Sequence, residues 1–232
     1  MSLLDALKGE LSSISPIALA SLRSRVEHVI GFDRIIDSFN TNPELVLLLH
    51  GFLMDEFSMA GLGYHLRDEG FKSYLRNYKY GDDLRKVASR RSDSLTDFCK
   101  KKKKRVSLVG HSEGGLVAWE KAQNNPHLIN KVIALGSPVY GTPLAHFLPI
   151  VPSCKQMCVG SDYLRELWER GFPKEVEFHF VFSKYDEVVL TSPERIMTNK
   201  YSNVHVYFVD NVGHLGLIGP RCYELVSKLL KS

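Results

Sequence analysis

Val106-Ser107-Leu108-Val109-Gly110-His111-Ser112-Glu113-Gly114-Gly115 runs from a short apolar segment through a glycine-flanked serine toward a helix. Val106–Val109 has the character of a strand covered on both faces. Leu116–Asn125 reads as a helix, and Pro126 stops it. Between the two the chain must turn sharply, and glycines allow the backbone to pass where a Cβ would not fit. The serine at the tip sits at a helix N-terminus, where aligned peptide dipoles favour negative charge.

On either side of this stretch, strands and helices alternate. Upstream, Leu45–Leu49 is an unbroken apolar strand, followed by the loop His50-Gly51-Phe52 and a helix reaching to Gly70. Phe71–Tyr78 reads as a strand. Asp82–Lys103 reads as a helix, with Leu84, Val87, Leu95 and Phe98 at helical spacing. Downstream, Val132–Leu135, Val176–Phe182 and Val204–Val209 read as strands, and Tyr223–Leu230 as a closing helix. Gly136–Pro173 has no strand pattern and many Pro and Gly residues, so a small insertion at about 137–173 is expected. The alternation implies an α/β fold, a mostly parallel sheet with helices on both faces. In such sheets sites form at the carboxyl ends of the strands. That places His50, Gly110–Ser112, the Gly136 turn, Asp186 and His214 along one edge.

Residues 1–40 read as a helical segment packed on a domain spanning 41–232. Ser2 with Asp5 resembles a capping box, followed by Leu4, Leu7 and Leu11 on one face. Pro16 suits the start of a second helix that buries Leu19, Leu22, Val26 and Val29.

Of the 232 residues, 44% are apolar and 24% charged, enough for one sizeable core. The net charge is +4, but six positive charges lie in the single run Lys100–Arg105, and the rest of the chain is slightly acidic. That run precedes the strand leading to Ser112, so it falls at the opposite sheet edge. It reads as a solvated helix end, against the alternative of a nucleic-acid or anionic-membrane contact. No apolar stretch approaches the roughly eighteen residues of a membrane span. No signal peptide is visible, and a cytoplasmic location is expected. Cys154 and Cys158 are four apart, but no paired Cys or His motif completes a zinc set, so free thiols and no metal are expected.

Gly110-His111-Ser112-Glu113-Gly114 is a G-x-S-x-G motif in the strand–turn–helix context that makes its serine a nucleophile. The alternative is a glycine-rich turn with a chance serine. A phosphate-binding loop is excluded, because no Lys-Ser or Lys-Thr follows the glycines. A serine hydroxyl needs a base held by an acid, and in this context the chain order is serine, acid, histidine. Five histidines follow Ser112. His179 and His205 fall within strands, His127 follows the helix break, and His146 is in the insertion. His214, in Gly213-His214-Leu215-Gly216 just after the last strand, is the expected base. Asp186, after the strand Val176–Phe182, is the best-placed acid, with Glu187 expected to point elsewhere. Asp162 and Asp210 are the alternatives. An oxyanion would be bound by two N–H groups, that of Glu113 and that of Phe52.

Leu48-Leu49-His50-Gly51-Phe52, Gly110–Gly115, Leu135-Gly136-Ser137-Pro138, Gly141–Ala145, Gly160–Leu164, Asp186–Val189 and Gly213-His214-Leu215 occur in a familiar order. From about Leu45 to the end, the chain resembles the bacterial lipase/esterase group of α/β-hydrolases. The resemblance implies an α/β-hydrolase fold, a Ser112–His214–Asp186 triad, an oxyanion hole at Phe52 and Glu113, an ester or lipid substrate and no cofactor. Members usually carry a neutral residue, often Met or Gln, where this chain has Glu113. A carboxylate there would oppose a developing oxyanion unless it turned away or found a cation.

The insertion carries Phe147, Leu148, Ile150, Val151 and Met157. Phe147 and Leu148 are expected to touch an acyl chain, the alternative being that the segment packs as core. The same triad would serve a thioesterase or an acyltransferase, and a non-catalytic binding protein could use the same scaffold.

Overall fold

Most apolar runs fold as strands. These are β1 (Ile35–Ile36), β2 (Leu45–Leu49), β3 (Lys72–Arg76), β4 (Val106–His111), β5 (Ile129–Leu135), β6 (Glu177–Ser183) and β7 (Val204–Val209). The computed structural model describes residues 35–89, 104–190 and 200–232, together with Ala18 and Cys99. Among the described residues the strands form one sheet in the order β1-β3-β2-β4-β5-β6-β7. β1 is antiparallel to β3, and every other pair is parallel.

Helices α1 (Ala60–Asp68), α2 (Leu84–Ser89), α3 (Glu113–Asn124), α4 (Pro152–Met157), α5 (Asp162–Arg170) and α6 (Pro220–Lys231) connect or follow the strands. The unbroken apolar run of β2 has a direct cause. Leu45, Leu47 and Leu49 join the core beneath α2, α3 and α5, while Val46 and Leu48 join the one beneath α1 and α6. Each strand residue faces one layer or the other, so none can be polar without burying an unpaired group.

The strandless segment 137–173 does more than decorate the edge. It contains α5, which supplies the crossover that parallel neighbours β5 and β6 require. Tyr163, Leu164 and Leu167 of α5 are buried in the core with Trp119 of α3. Trp119 stacks on Phe172 at 4.8 Å and donates its indole N–H to Gly171 O at 3.2 Å.

Differences from the sequence reading are local. α3 begins at Glu113 and not Leu116, because Gly114 and Gly115, ordinarily poor helix residues, are held there by close packing. β5 begins earlier, at Ile129, where Asn130 and Lys131 are only half-buried and mask the strand pattern. β1 is a two-residue edge strand, too short to show a period. The expected N-terminal helices fall almost entirely on residues 1–34, outside the described residues, as do Leu95, Phe98 and Lys100–Lys103. The last two residues of the basic run are structural. Lys104 Nζ donates to Pro43 O at 2.9 Å, and Arg105 donates to the carbonyls of Pro126, Ile129 and Glu175.

Candidate active site

β2 leads to β3 on one side and β4 leads to β5 on the other, so the connections diverge between β2 and β4. Parallel sheets open a crevice at such a point, beyond the carboxyl ends of the strands. β2 and β4 pair in register, Leu49 beside Gly110, so His50–Phe52 and His111–Glu113 emerge side by side. A Cβ on Gly51 would lie 3.3 Å from Ser112 Cβ, which puts the two loops in contact.

Ser112 has φ 53° and ψ −118°, a left-handed backbone that a residue with a Cβ rarely adopts. Its N–H donates to Leu135 O at 2.8 Å, and its carbonyl accepts from Gly115 N at 3.0 Å. The flanking glycines make this turn possible. A Cβ at Gly110 would overlap the Gly114 carbonyl, and one at Gly114 would lie 2.5 Å from the carbonyl oxygens of Leu49 and His50. The Glu113 N–H lies in the first turn of α3, among donors without an intrahelical acceptor. The Phe52 N–H has no acceptor among the described residues. Two donors thus flank the Ser112 turn.

Asp186 and His214 come together at the same edge. Asp186 Oδ2 accepts from His214 Nδ1 at 2.8 Å, and Asp186 Oδ1 accepts from the N–H groups of Val188 (2.9 Å) and Val189 (2.7 Å). Burial by itself would raise the Asp186 pKa, but the bond and charge of His214 and the two backbone donors lower it below the ordinary carboxylate value. The carboxylate fixes the proton of His214 on Nδ1 and leaves the Nε2 lone pair available. Gly136, at φ 58°, makes room for the pair. A Cβ there would meet Leu217 Cδ1 at 2.6 Å, Asp186 Oδ2 at 3.1 Å and His214 Nδ1 at 3.2 Å. The alternative acids are elsewhere engaged, Asp162 with Arg165 and Asp210 with Lys184.

The roles of three further residues escaped the sequence reading. His50 is fully buried and stacks on Tyr78 at 4.1 Å. Its ring nitrogens contact Gly51 O and Tyr78 O, the Tyr78 hydroxyl donates to His50 O, and burial lowers its pKa. It pins the loop that carries Phe52. His111, also buried, bonds His214 O through Nε2 at 3.1 Å. Glu187 does not point elsewhere: its Oε2 accepts the backbone N–H of His214 at 3.0 Å. The expectation considered only which carboxylate would reach the ring. Two adjacent acidic residues after a strand are the one sequence signal that could have suggested two partners.

Glu113 departs from the resemblance, and its side chain is fully buried with neither carboxyl oxygen hydrogen-bonded. No cation among the described residues offsets it. Burial is the main cause that lifts its pKa to about 7; the nearby Ser153 hydroxyl lowers it in part and the Asp82 carboxylate raises it further. The carboxyl is thus largely neutral below that pH, which relieves the expected repulsion. The insertion is tied to the Asp186 loop by Thr142 Oγ1, which donates to Val188 O. Phe147 is 79% exposed and Leu148 43%, so the core-packing alternative fails for both, while Met157 is buried. No cluster of three metal-ligating side chains occurs among the described residues; Cys154 is buried and Cys158 half-buried.

A family described as the PGAP1-like alpha/beta domain matches residues 84–154. The AB hydrolase superfamily protein YfhM of Bacillus subtilis is 29% identical over 102 residues, 40% of this chain and 36% of that protein. The match therefore spans about a third of that relative's length. The lipase BlEst2 of Bacillus licheniformis in its mature form superposes with a TM-score of 0.62, at 13% identity over 82% of this chain and 93% of that one. The chain has the α/β-hydrolase fold. Within that fold, a monoacylglycerol lipase of Paleococcus ferrophilus (TM-score 0.61, 16% identity, 84% and 95% of the two chains) is similar as well. So is the carboxylesterase CesB of Bacillus subtilis (TM-score 0.58, 16% identity, 85% and 86%). No helix among the described residues is long and apolar enough to cross a membrane.

Proposed function

We propose that this α/β-hydrolase is a serine carboxylester hydrolase, an esterase or lipase cleaving esters with an apolar acyl chain. The observation that carries the reading is the 2.8 Å bond between Asp186 and His214, formed at the edge where Ser112 occupies its strained turn. In the proposed cycle His214 Nε2 takes the proton of Ser112 as Oγ attacks the ester carbonyl. The oxyanion is bound by the N–H groups of Phe52 and Glu113, and the protonated His214 gives its proton to the departing alcohol. Water, deprotonated by the same imidazole, then attacks the acyl–Ser112 ester; the imidazolium returns that proton to Ser112 Oγ as the acyl–oxygen bond breaks, freeing the acid and the serine. Exposed Phe147 and Leu148 on the insertion support an apolar acyl group.

The test is labelling with a fluorophosphonate, which reacts with activated serines, alongside turnover of an acyl-length series of esters and thioesters. Ser112→Ala should remove both labelling and turnover. Labelling that persists in Ser112→Ala would refute the assignment, and faster turnover of thioesters than of the matched esters would move the substrate class.

A further inference from the structure

We propose that His111 and Glu187 are positioning residues that grip the His214 backbone from both sides and so aim its ring at Ser112. The proposal rests on the reading of His214 as the base. Glu187 Oε2 takes the His214 N–H at 3.0 Å, and His111 Nε2 lies 3.1 Å from the His214 carbonyl oxygen. The two peptide groups flanking the His214 Cα are therefore each held by a side chain from a different loop. His111 belongs to the nucleophile turn and Glu187 to the acid loop, so the grip ties all three loops of the site to one another.

The base loop needs such support. His214 precedes a single 3₁₀ turn, Leu215–Ile218, and has no side-chain cap of its own. The turn's own bond to His214 O, from Leu217 N, is long at 3.4 Å. Asp186 fixes the Nδ1 side of the imidazole, but the direction of the Cα–Cβ bond is set by the peptide planes on either side. A displacement of about 1 Å in a reacting group can cost on the order of a hundredfold in rate.

The chemistry of His111 fits this role better than simple filling of space. A carbonyl oxygen can only accept, so Nε2 carries the hydrogen and Nδ1 is bare. Nδ1 is buried without a partner, and a Cβ on Gly51 would come within 2.9 Å of it. An unpaired buried nitrogen is a cost that an apolar residue of similar size would avoid. What the imidazole adds is the bond to His214. Burial, and then the neighbouring His214, push its pKa down to about 3 against the opposing effects of the His214 carbonyl bond and Asp186, and His50 adds to the lowering. His111 is thus neutral at ordinary pH and does not compete for the proton that His214 must handle.

The test compares variants of the intact chain that keep or lose each bond. At 111, Gln extends an amide donor to where Nε2 lies, whereas Asn is too short and Leu has no donor. At 187, Gln keeps an acceptor, Asp is too short and Leu has none. We measure kcat and KM on a short-chain ester, the rate of fluorophosphonate labelling, and the melting temperature. The expected result is a fall of about ten- to a hundredfold in kcat and labelling for His111→Asn, His111→Leu, Glu187→Asp and Glu187→Leu, with KM within about twofold. His111→Gln and Glu187→Gln should recover most of the loss. If a Leu variant fails to fold, the contrast between Asn and Gln, or between Asp and Gln, carries the same test. Wild-type kcat in the short variants, equal losses in the Gln variants, or losses confined to KM would each overturn the proposal. Those results alongside an inert Ser112→Ala would leave the triad standing, whereas turnover in Ser112→Ala would remove the triad and the grip together.

Discussion

Asp186 Oδ2 and His214 Nδ1 meet at 2.8 Å although the residues are 28 apart in sequence, and both side chains are almost wholly buried. A carboxylate in that position survives burial because four interactions hold its charge: the bond and charge of His214 and the N–H groups of Val189 and Val188. Asp186→Asn keeps the shape but presents an amide that cannot hold the Nδ1 proton in the same way. By analogy with the established serine-protease case, kcat should fall by about 10⁴-fold. Glu187→Gln, whose amide oxygen can still accept the His214 N–H, should lose far less. Steady-state kinetics of the two variants decide it, and the opposite ranking would transfer the acid role to Glu187.

Ser112 and His214 act as one unit in the proposed cycle. Ser112→Ala and His214→Ala should each abolish measurable turnover, and the double variant should be hardly worse than either. Clearly additive losses in kcat would show that the two side chains act independently.

Gly136 packs directly against the Asp186–His214 pair. Gly136→Ala would strain a residue at φ 58° and press a methyl against Leu217, Asp186 and His214. A destabilisation of about 1–3 kcal/mol is expected, from backbone strain and crowding together. Turnover should fall by more than the loss of folded protein accounts for. Thermal melts and kcat per folded molecule, measured together, test this. A variant as stable and as active as the wild type would mean the pair tolerates displacement.

Glu113 gives a pH signature in stability. Its pKa is raised from 4.5 to about 7 on folding, so the folded state holds its proton more tightly than the unfolded chain. The contribution is fully present below pH 4.5 and is lost as pH rises through 7. A difference of that size corresponds to on the order of 3 kcal/mol. Glu113→Gln, which cannot ionise, should therefore gain stability relative to the wild type as pH rises from about 4.5 to 8. Denaturant unfolding at several pH values measures the gap; a gap independent of pH would mean that the carboxyl is charged or solvated in the folded protein.

Phe147 and Leu148 stand exposed on the insertion, so truncating them should barely affect folding, within about 0.5 kcal/mol. The expected effect is on substrate choice. The double alanine variant should lose activity on long-chain esters and keep it on acetate esters. An equal change at every chain length would remove both residues from the acyl site.

The alternation of strands and helices from Leu45 onward, the glycine-flanked turn at Ser112 and the place of His214 just after the last strand were legible in the sequence. Each rests on local chemistry: unbroken apolar runs where both faces are buried, and glycines where a Cβ would collide. Leu45–Leu49 and Val204–Val209 matched residue for residue because their patterns need no partner to be read. The early start of α3 was not legible, since Gly114 and Gly115 look like helix breakers until the Leu49 and His50 carbonyls and Ser137 are packed against them. The role of α5 was hidden for a similar reason, because Pro and Gly around it suggest a loop, while the need for a crossover arises only once β5 and β6 are known to be parallel neighbours.

The sequence by itself determined which residue types were available for the chemistry and in what order they occur along the chain. Tertiary structure alone decided how the neighbours Asp186 and Glu187 divide their work, one on the ring of His214 and one on its backbone. It also decided that His111 turns toward His214, and that the Glu113 carboxyl is buried without a hydrogen-bond partner among the described residues. Side-chain direction, burial and hydrogen-bond partners depend on loops distant in sequence meeting at one sheet edge, and no local pattern encodes that meeting.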